Sequence, residues 1–236
     1  MRIKLYFETN TNEIEGDIKR SFISFMKKTL SEYDENIYHY LYKRNQIKPY
    51  SFSVYLPGVI KEATKTKINN NFVIFEISVL DSKFACHFYN ALQKNKNKSY
   101  PFGSALFVCK KITAETSKQC QNNKIIIKLK SPLVLRKRVG NKDTYYTYKD
   151  NEFNNIFNEL VNYQLSTLGL PTDPNIKIKT IEGKTVMDKI FGLCIYASAG
   201  IYMLEGDKEV LTILSQTGIG SRRSEGYGLF NVLTEV

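Results

Sequence analysis

The chain has 236 residues, room for one large domain or two of average size, and its 42% hydrophobic content supports a packed core and excludes a globally disordered chain. Lysine and arginine number 34 against 23 aspartates and glutamates, a net charge of +11 that favours a polyanion as partner, either nucleic acid or an anionic surface. Four scattered cysteines (Cys86, Cys109, Cys120, Cys194) and two histidines lack metal-site spacing, which argues against a structural zinc or a disulfide framework. No apolar leader and no membrane-length apolar run is present, so the expectation is a soluble, cytoplasmic protein with no membrane partner.

In chain order, "MRIKLYFETN" alternates Ile3, Leu5 and Phe7 against Lys4 and Tyr6, the period of a strand. Ile14, Ile18, Phe22, Phe25, Met26 and Leu30 follow at helical spacing, with Asn12 and Glu15 as a capping box. "YSFSVYL" and "FVIFEISV" read as strands, "SKFACHFYNALQ" as a short helix and "FGSALFVCKKI" as a strand, which completes a β-α-β-β-α-β order. The polar stretch "TAETSKQCQNN" marks a boundary between a domain over 1–115 and a second over 122–236.

The second half repeats the order. "KIIIKLKSPLVL" is a strand with a proline break, and Phe153, Ile156, Phe157, Leu160, Val161, Leu165 and Leu168 form the clearest helix, stopped by "GLPTDPN". "IKIKTI" and a long, glycine-interrupted "IFGLCIYASAGIYML" are strands, "DKEVLTILSQ" is a short helix with Gly218 at its αL cap, and "YGLFNVL" is the last strand. Two such units predict an α+β protein of tandem ferredoxin-like (RRM-like) domains.

The segment "TGIGSRRSEGYGLFNV" places Gly218, Gly220, Gly226 and Gly228 around Arg222 and Arg223. It follows a helix and precedes a strand, the reverse of a dinucleotide fingerprint, and it has no GK[ST] of a phosphate-cradling Walker loop. Glycine-exposed N–H groups and paired arginines suit RNA phosphates; the plainer alternative is a tight turn with solvated arginines.

The run "LTILSQTGIGSRRSEGYGLFNV" resembles the C-terminal glycine-rich motif of the CRISPR-associated RNA-processing endoribonucleases of the repeat-associated (RAMP) superfamily. "KLKSPLVLRK" is similar to that family's start of the second domain, and "KPYSFSVYL" to its segment after the first helix. The resemblance implies tandem ferredoxin-like domains and cleavage of CRISPR repeat RNA without metal or other cofactor. It further implies attack of the upstream 2′-hydroxyl, leaving a 2′,3′-cyclic phosphate and a 5′-hydroxyl. CRISPR repeat RNA is then the substrate and the retained product. Other effector subunits and a homodimer are partners the sequence leaves open. The alternative within the superfamily is a non-catalytic RNA-binding subunit of an effector complex; a small-molecule enzyme with a phosphate loop is a third reading.

This reaction needs proton transfer and cations around the phosphate. His87, in "FACHFYNAL", reads as structural. His39, in "NIYHYLYKRNQIKPY", lies among Tyr38, Tyr40, Tyr42, Lys43, Arg44 and Lys48, an aromatic and basic interleaving suited to bases and backbone. In the family many members place the catalytic histidine directly after a leucine; here that pair is Leu41-Tyr42. The site therefore uses His39, one turn away, or relies on Tyr42, Lys43 and Arg44. A second basic stretch, Arg136, Lys137 and Arg138 followed by Lys142, Tyr145, Tyr146 and Tyr148, is either an RNA grip or a charged hairpin edge.

Overall fold

The computed structural model describes residues 1–42, 47–62, 65–190 and 192–236, without the side chains of residues 61 and 190. Two compact units emerge, one of Met1–Gln46 with Ser53–Thr116, the other of Ile47–Phe52 with Ser117–Val236.

Along residues 1–116 the order is β1 (Arg2–Thr9), β2 (Glu13–Glu15), α1 (Ile18–Tyr33), α2 (Glu35–Tyr42), β3 (Tyr50–Tyr55), β4 (Ile60–Lys61), β5 (Lys65–Lys67), β6 (Phe72–Val79), α3 (Ser82–Lys94), β7 (Ser99–Phe102) and β8 (Ala105–Glu115). The main sheet runs β3-β6-β1-β8-β7, with β1 antiparallel to both β6 and β8. Its inner face carries the buried Ile3, Leu5 and Phe7 of β1 and Val73, Phe75 and Ile77 of β6. Phe22 of α1 stacks on Phe75 at 4.7 Å, and Phe25 meets Phe7 edge-on at 5.5 Å. Each fully buried ring of this kind contributes about 1.5–3 kcal/mol of transfer free energy.

The Asn12–Glu15 capping box does not form. Asp17 caps α1 instead, its side chain accepting from Arg20 N. Residues Glu13–Glu15 pair with Lys65–Lys67 as an added strand, and Ile14 is buried there. A three-residue strand bracketed by two glutamates carries too little alternation to be told from a helix entry. His87 faces solvent on α3, beside Tyr33 at 6.2 Å, because Phe84 and Phe88 take the buried stripe of that helix.

The second unit runs β9 (Lys124–Leu129), β10 (Leu135–Val139), β11 (Lys142–Tyr146), α4 (Phe153–Thr167), β12 (Lys177–Ile190), β13 (Leu193–Glu205), α5 (Lys208–Thr217) and β14 (Phe230–Glu235). Its sheet is β12-β13-β9-β14. Leaving aside the added strands, both units therefore show the strand order 4-1-3-2 of a ferredoxin-like fold, and the α+β tandem architecture is established. Ile125 and Ile127 of β9, Phe157 and Leu165 of α4, Tyr202 and Leu204 of β13, and Leu211 and Leu214 of α5 are all buried at 0% exposure, which locates the core between the sheet and its helices.

The segment read as one long strand is two. Gly192, at φ +82°, sits in the turn that separates β12 from β13. The two strands pair along their whole length, but β9 joins β13 only over Ile201–Glu205, so the distal part is a two-stranded ribbon. Gly200 pairs with Gly183 next to the register shift at Thr180–Glu182; a Cβ there would fall 1.9 Å from Glu182 O. The hairpin of β10 and β11 pairs with itself, outside the main sheet.

Candidate functional site

Two segments carry the residues that the sequence singles out, and each is built within its own unit. The first is α2. Asp34 separates it from α1 and serves both helices: its N–H donates to Leu30 O, and its carboxylate accepts from Asn36 N at 2.9 Å. The short helix is fixed by Leu41, fully buried, which leaves its other side chains outside the core. His39 keeps 40% of its side chain exposed and places Nε2 3.3 Å from Glu35 Oε1, one turn earlier.

Tyr38 lies 5.5 Å from His39 and 5.4 Å from Tyr42, and Lys27, reaching across from α1, sits 5.1 Å over the Tyr42 ring. The structure thus gathers His39, Tyr38 and Tyr42 and adds Glu35 and Lys27, which sequence reasoning missed. Glu35 was within reach of the i,i+4 rule for helix neighbours; Lys27 comes from a preceding helix, and no spacing signals it. Lys48 is half-buried beyond α2. Lys43 and Arg44 lie outside the described residues.

The second segment is the glycine loop. After α5, Gly218 (φ +73°) and Gly220 (φ +79°) lead to Arg222 (φ +59°), a 3-10 turn over Arg223–Glu225, Gly226 (φ +90°) and Gly228 (φ +69°). Gly218 combines φ +73° with ψ 179°, so it ends α5 in a conformation open essentially to glycine alone rather than in the αL well. The glycines serve close packing. A Cβ on Gly228 would stand 1.9 Å from Ile219 O, and one on Gly220 2.6 Å from Val134 O. Ile219 N donates to Gly228 O, Ser221 N to Val134 O, Gly228 N to Pro132 O and Leu229 N to Ser131 Oγ. These N–H groups are used inside the protein, folding the loop onto the 130–135 segment.

The arginines are held too. Arg223 is 6% exposed and donates from Nη1 to Thr217 O at 2.8 Å, and burial lowers its pKa to about 9. Buried beside it, Gln164 donates to Thr217 Oγ1 and Gly218 O, while Gln164 Oε1, Ser51 Oγ and Arg222 Nε have no hydrogen-bond partner among the described residues. Taking an unpaired cation out of water costs roughly several kcal/mol. Arg222 donates to Glu225 Oε2 at 2.7 Å and to Tyr145 OH at 3.2 Å. Its burial works to lower the pKa, and the bonds to Glu225 and Tyr145 outweigh that and raise it.

On the β10–β11 hairpin, Arg136 pairs with Asp143 at 3.1 Å and Lys137 with Glu159 at 2.9 Å. Arg138 is the most exposed of the three, with 59% of its side chain accessible, 3.9 Å from Asp143. Tyr145 of this hairpin and Arg222 of the loop are thereby brought together. Among the described residues, no cluster of three or more His, Cys, Asp or Glu side chains is placed to hold a metal ion, and no helix is long and apolar enough to cross a membrane.

Two ferredoxin-like folds in tandem, with a glycine-rich loop joining the last helix to the last strand, define a RAMP-type protein. Residues 115–232 match the family model for CRISPR associated protein Cas6, C-terminal, and the chain belongs to this family, whose members process or bind CRISPR RNA. Among solved structures, a Cas6-related protein from Pyrococcus furiosus superposes with a TM-score of 0.86 at 20% identity, over 100% of this chain and 99% of that one. A RAMP protein described as binding different RNA substrates gives 0.84 at 19% identity, over 99% and 100%. A Cas6 product complex gives 0.71 at 15% identity, again over 99% and 100%. At these identities the likeness is one of fold. No curated protein sequence matches the chain.

Proposed function

We propose that the protein is a metal-independent endoribonuclease that cuts CRISPR repeat RNA by attack of a 2′-hydroxyl on the adjacent phosphate. The products are a 2′,3′-cyclic phosphate and a 5′-hydroxyl. The observation that carries this reading is the accessible His39–Glu35 pair, set beside Tyr38, Tyr42 and Lys27 in a chain of the Cas6 family. His39 exchanges the proton, as general base toward the 2′-hydroxyl or general acid toward the leaving 5′-oxygen. Glu35 holds the ring. Lys27, with Lys43 and Arg44, supplies positive charge for the crowded phosphate. Arg138 and Lys48 contribute backbone contacts, and affinity falls steeply with salt, as phosphate contacts require.

One observation favours a second reading, an RNA-binding subunit that does not cut: the position after the buried Leu41, where the resemblance places a histidine, holds the half-buried Tyr42. Labelled repeat RNA incubated in EDTA with wild type and with His39→Ala separates the two. A single cut ending in a cyclic phosphate, lost in the variant, supports the nuclease with His39 at its centre. Binding with intact RNA supports the second reading. Cutting by both proteins keeps the nuclease and moves the proton transfer to Tyr42 and its cationic neighbours.

A further inference from the structure

The face of the first sheet opposite its aromatic core has a composition that the α2 site does not use. Alternation sends Ile3, Leu5 and Phe7 inward, so Arg2, Lys4, Tyr6 and Glu8 share the other face of β1. On the neighbouring strand β6, Phe72 and Ile74 occupy that face; farther along, Glu76 and Ser78 are buried at 3% and 0% exposure, while Phe72 and Tyr6 are partly exposed. Tyr6 pairs with Ile74 and Glu8 with Phe72, which makes Tyr6 and Phe72 diagonal neighbours on the two central strands. Their rings stack at 6.1 Å with an interplanar angle of 26°. Lys111, opposite Tyr6 on β8, lies 5.5 Å from the Tyr6 ring centroid.

The charges on this face sort into pairs. Arg2 meets Glu76 at 3.3 Å, Lys4 meets Glu115 at 3.2 Å, and Lys110 at the bulge meets Glu8 at 3.7 Å. Lys111 has no carboxylate partner among the described residues and is exposed. The half-open end of the sheet therefore offers two near-parallel rings and one unneutralised cation. An aliphatic partner gains nothing from the cation, and an acidic peptide gains nothing from the stacked rings. A nucleotide uses both, a base on the rings and a phosphate on the lysine. Aromatics on the central strands of a four-stranded ferredoxin-like sheet form the platform on which RNA-recognition domains stack unpaired bases.

We infer that Tyr6 and Phe72 form a stacking platform for an unpaired base of the RNA, with Lys111 holding an adjacent phosphate. This rests on the RNA reading above and adds a subsite within the first unit. Lys111 leaves the Tyr6 ring as the base arrives, exchanging an exposed cation–π contact, which is weak, for a phosphate.

The test uses the full chain and labelled repeat RNA, as single strand and as blunt duplex, with wild type, Tyr6→Leu, Phe72→Leu, Tyr6→Phe and Lys111→Gln. Leucine keeps an apolar side chain on the strand and removes the aromatic face. The expected result is a loss of roughly ten- to hundredfold in single-strand affinity for each leucine variant, the range for stacking one base on an aromatic ring. Duplex affinity and the Tyr6→Phe variant stay at the wild-type level. Lys111→Gln lowers the slope of log affinity against log salt by about 0.7, one phosphate contact on a single strand. Where a leucine variant melts early, 2-aminopurine scanned through the RNA bound to wild type gives the answer: strong quenching at one position supports the platform, and none at any position overturns it. Unchanged single-strand affinity in both leucine variants, or an equal loss on duplex, also overturns it. Failure of the wild type to bind any RNA overturns the proposed function as well, so the two failures are distinguishable.

Discussion

From Gly218 to Gly228 seven residues are buried and the other four half-buried, while α2 keeps Leu41 in the core and leaves His39 and Tyr40 accessible. The loop carries the loudest pattern in the sequence, yet its glycines answer to neighbouring backbone: Ile219 O for Gly228, Val134 O for Gly220. The helix carries no motif at all, yet it gathers an imidazole, a carboxylate, two phenols and a lysine within contact distances. A pattern of glycines is dictated by geometry, since positive φ and close approach exclude other residues. Proton transfer asks for a side chain in reach, which any exposed helix face can supply. On the proposed function the loop supplies shape and α2 the chemistry, and four substitutions test that division.

Gly228→Ala has the largest expected effect. At φ +69° the new Cβ would stand 1.9 Å from a backbone oxygen, with no flexible side chain to yield. Strain of this kind is among the few mechanisms that cost about 4 kcal/mol or more, and the midpoint of urea unfolding should drop accordingly. A variant that unfolds like wild type and merely loses RNA would break the comparison, because the loop would then be shaped for a ligand.

His39→Ala comes next. Loss of a positioned acid or base lowers the cleavage rate by about 10²–10⁴. Since the side chain is 40% exposed, the melting temperature should stay within about 1–2 °C, as surface substitutions generally do. Single-turnover cleavage and a thermal melt on the same preparation check both halves. Glu35→Gln should cost less, about tenfold, because the ring loses a charged orienting partner but keeps a neutral one. The loss should appear in kcat with KM unchanged.

Legibility followed the range of the forces. The tandem fold was readable because its strands and helices announce themselves by period: Ile3, Leu5 and Phe7 alternate, and Phe153 to Leu165 recur at helical spacing. Elements held by distant partners were not readable. The strand Glu13–Glu15 exists because Lys65–Lys67 pairs with it, and Lys27 meets Tyr42 because α1 and α2 fold back at Asp34. The glycine loop was located correctly between α5 and β14, but the fate of its arginines depended on Tyr145, Glu225 and Thr217, two of them close in sequence and none predictable as partners from residue type.

Tyr145→Phe has the smallest expected effect and bears most directly on the loop. It deletes one hydroxyl, which accepts from Arg222 Nη2 at 3.2 Å, and leaves the bond to Glu225 at 2.7 Å intact. Losing a hydrogen bond to a charged donor costs about 1.5 kcal/mol, the low end of the range because the Glu225 bond remains, readable as a shift in the urea midpoint. Its consequence for RNA has a sign that depends on what Arg222 does. If the arginine serves to fasten the loop to the β10–β11 hairpin, affinity for repeat RNA and its salt dependence stay unchanged. If Arg222 reaches a phosphate, releasing it from Tyr145 removes a competitor for its donors, and binding tightens while stability falls. Opposite movements of stability and affinity in one conservative variant would show that the loop shares in RNA binding; a loss of stability alone would leave it the part of the molecule that holds shape.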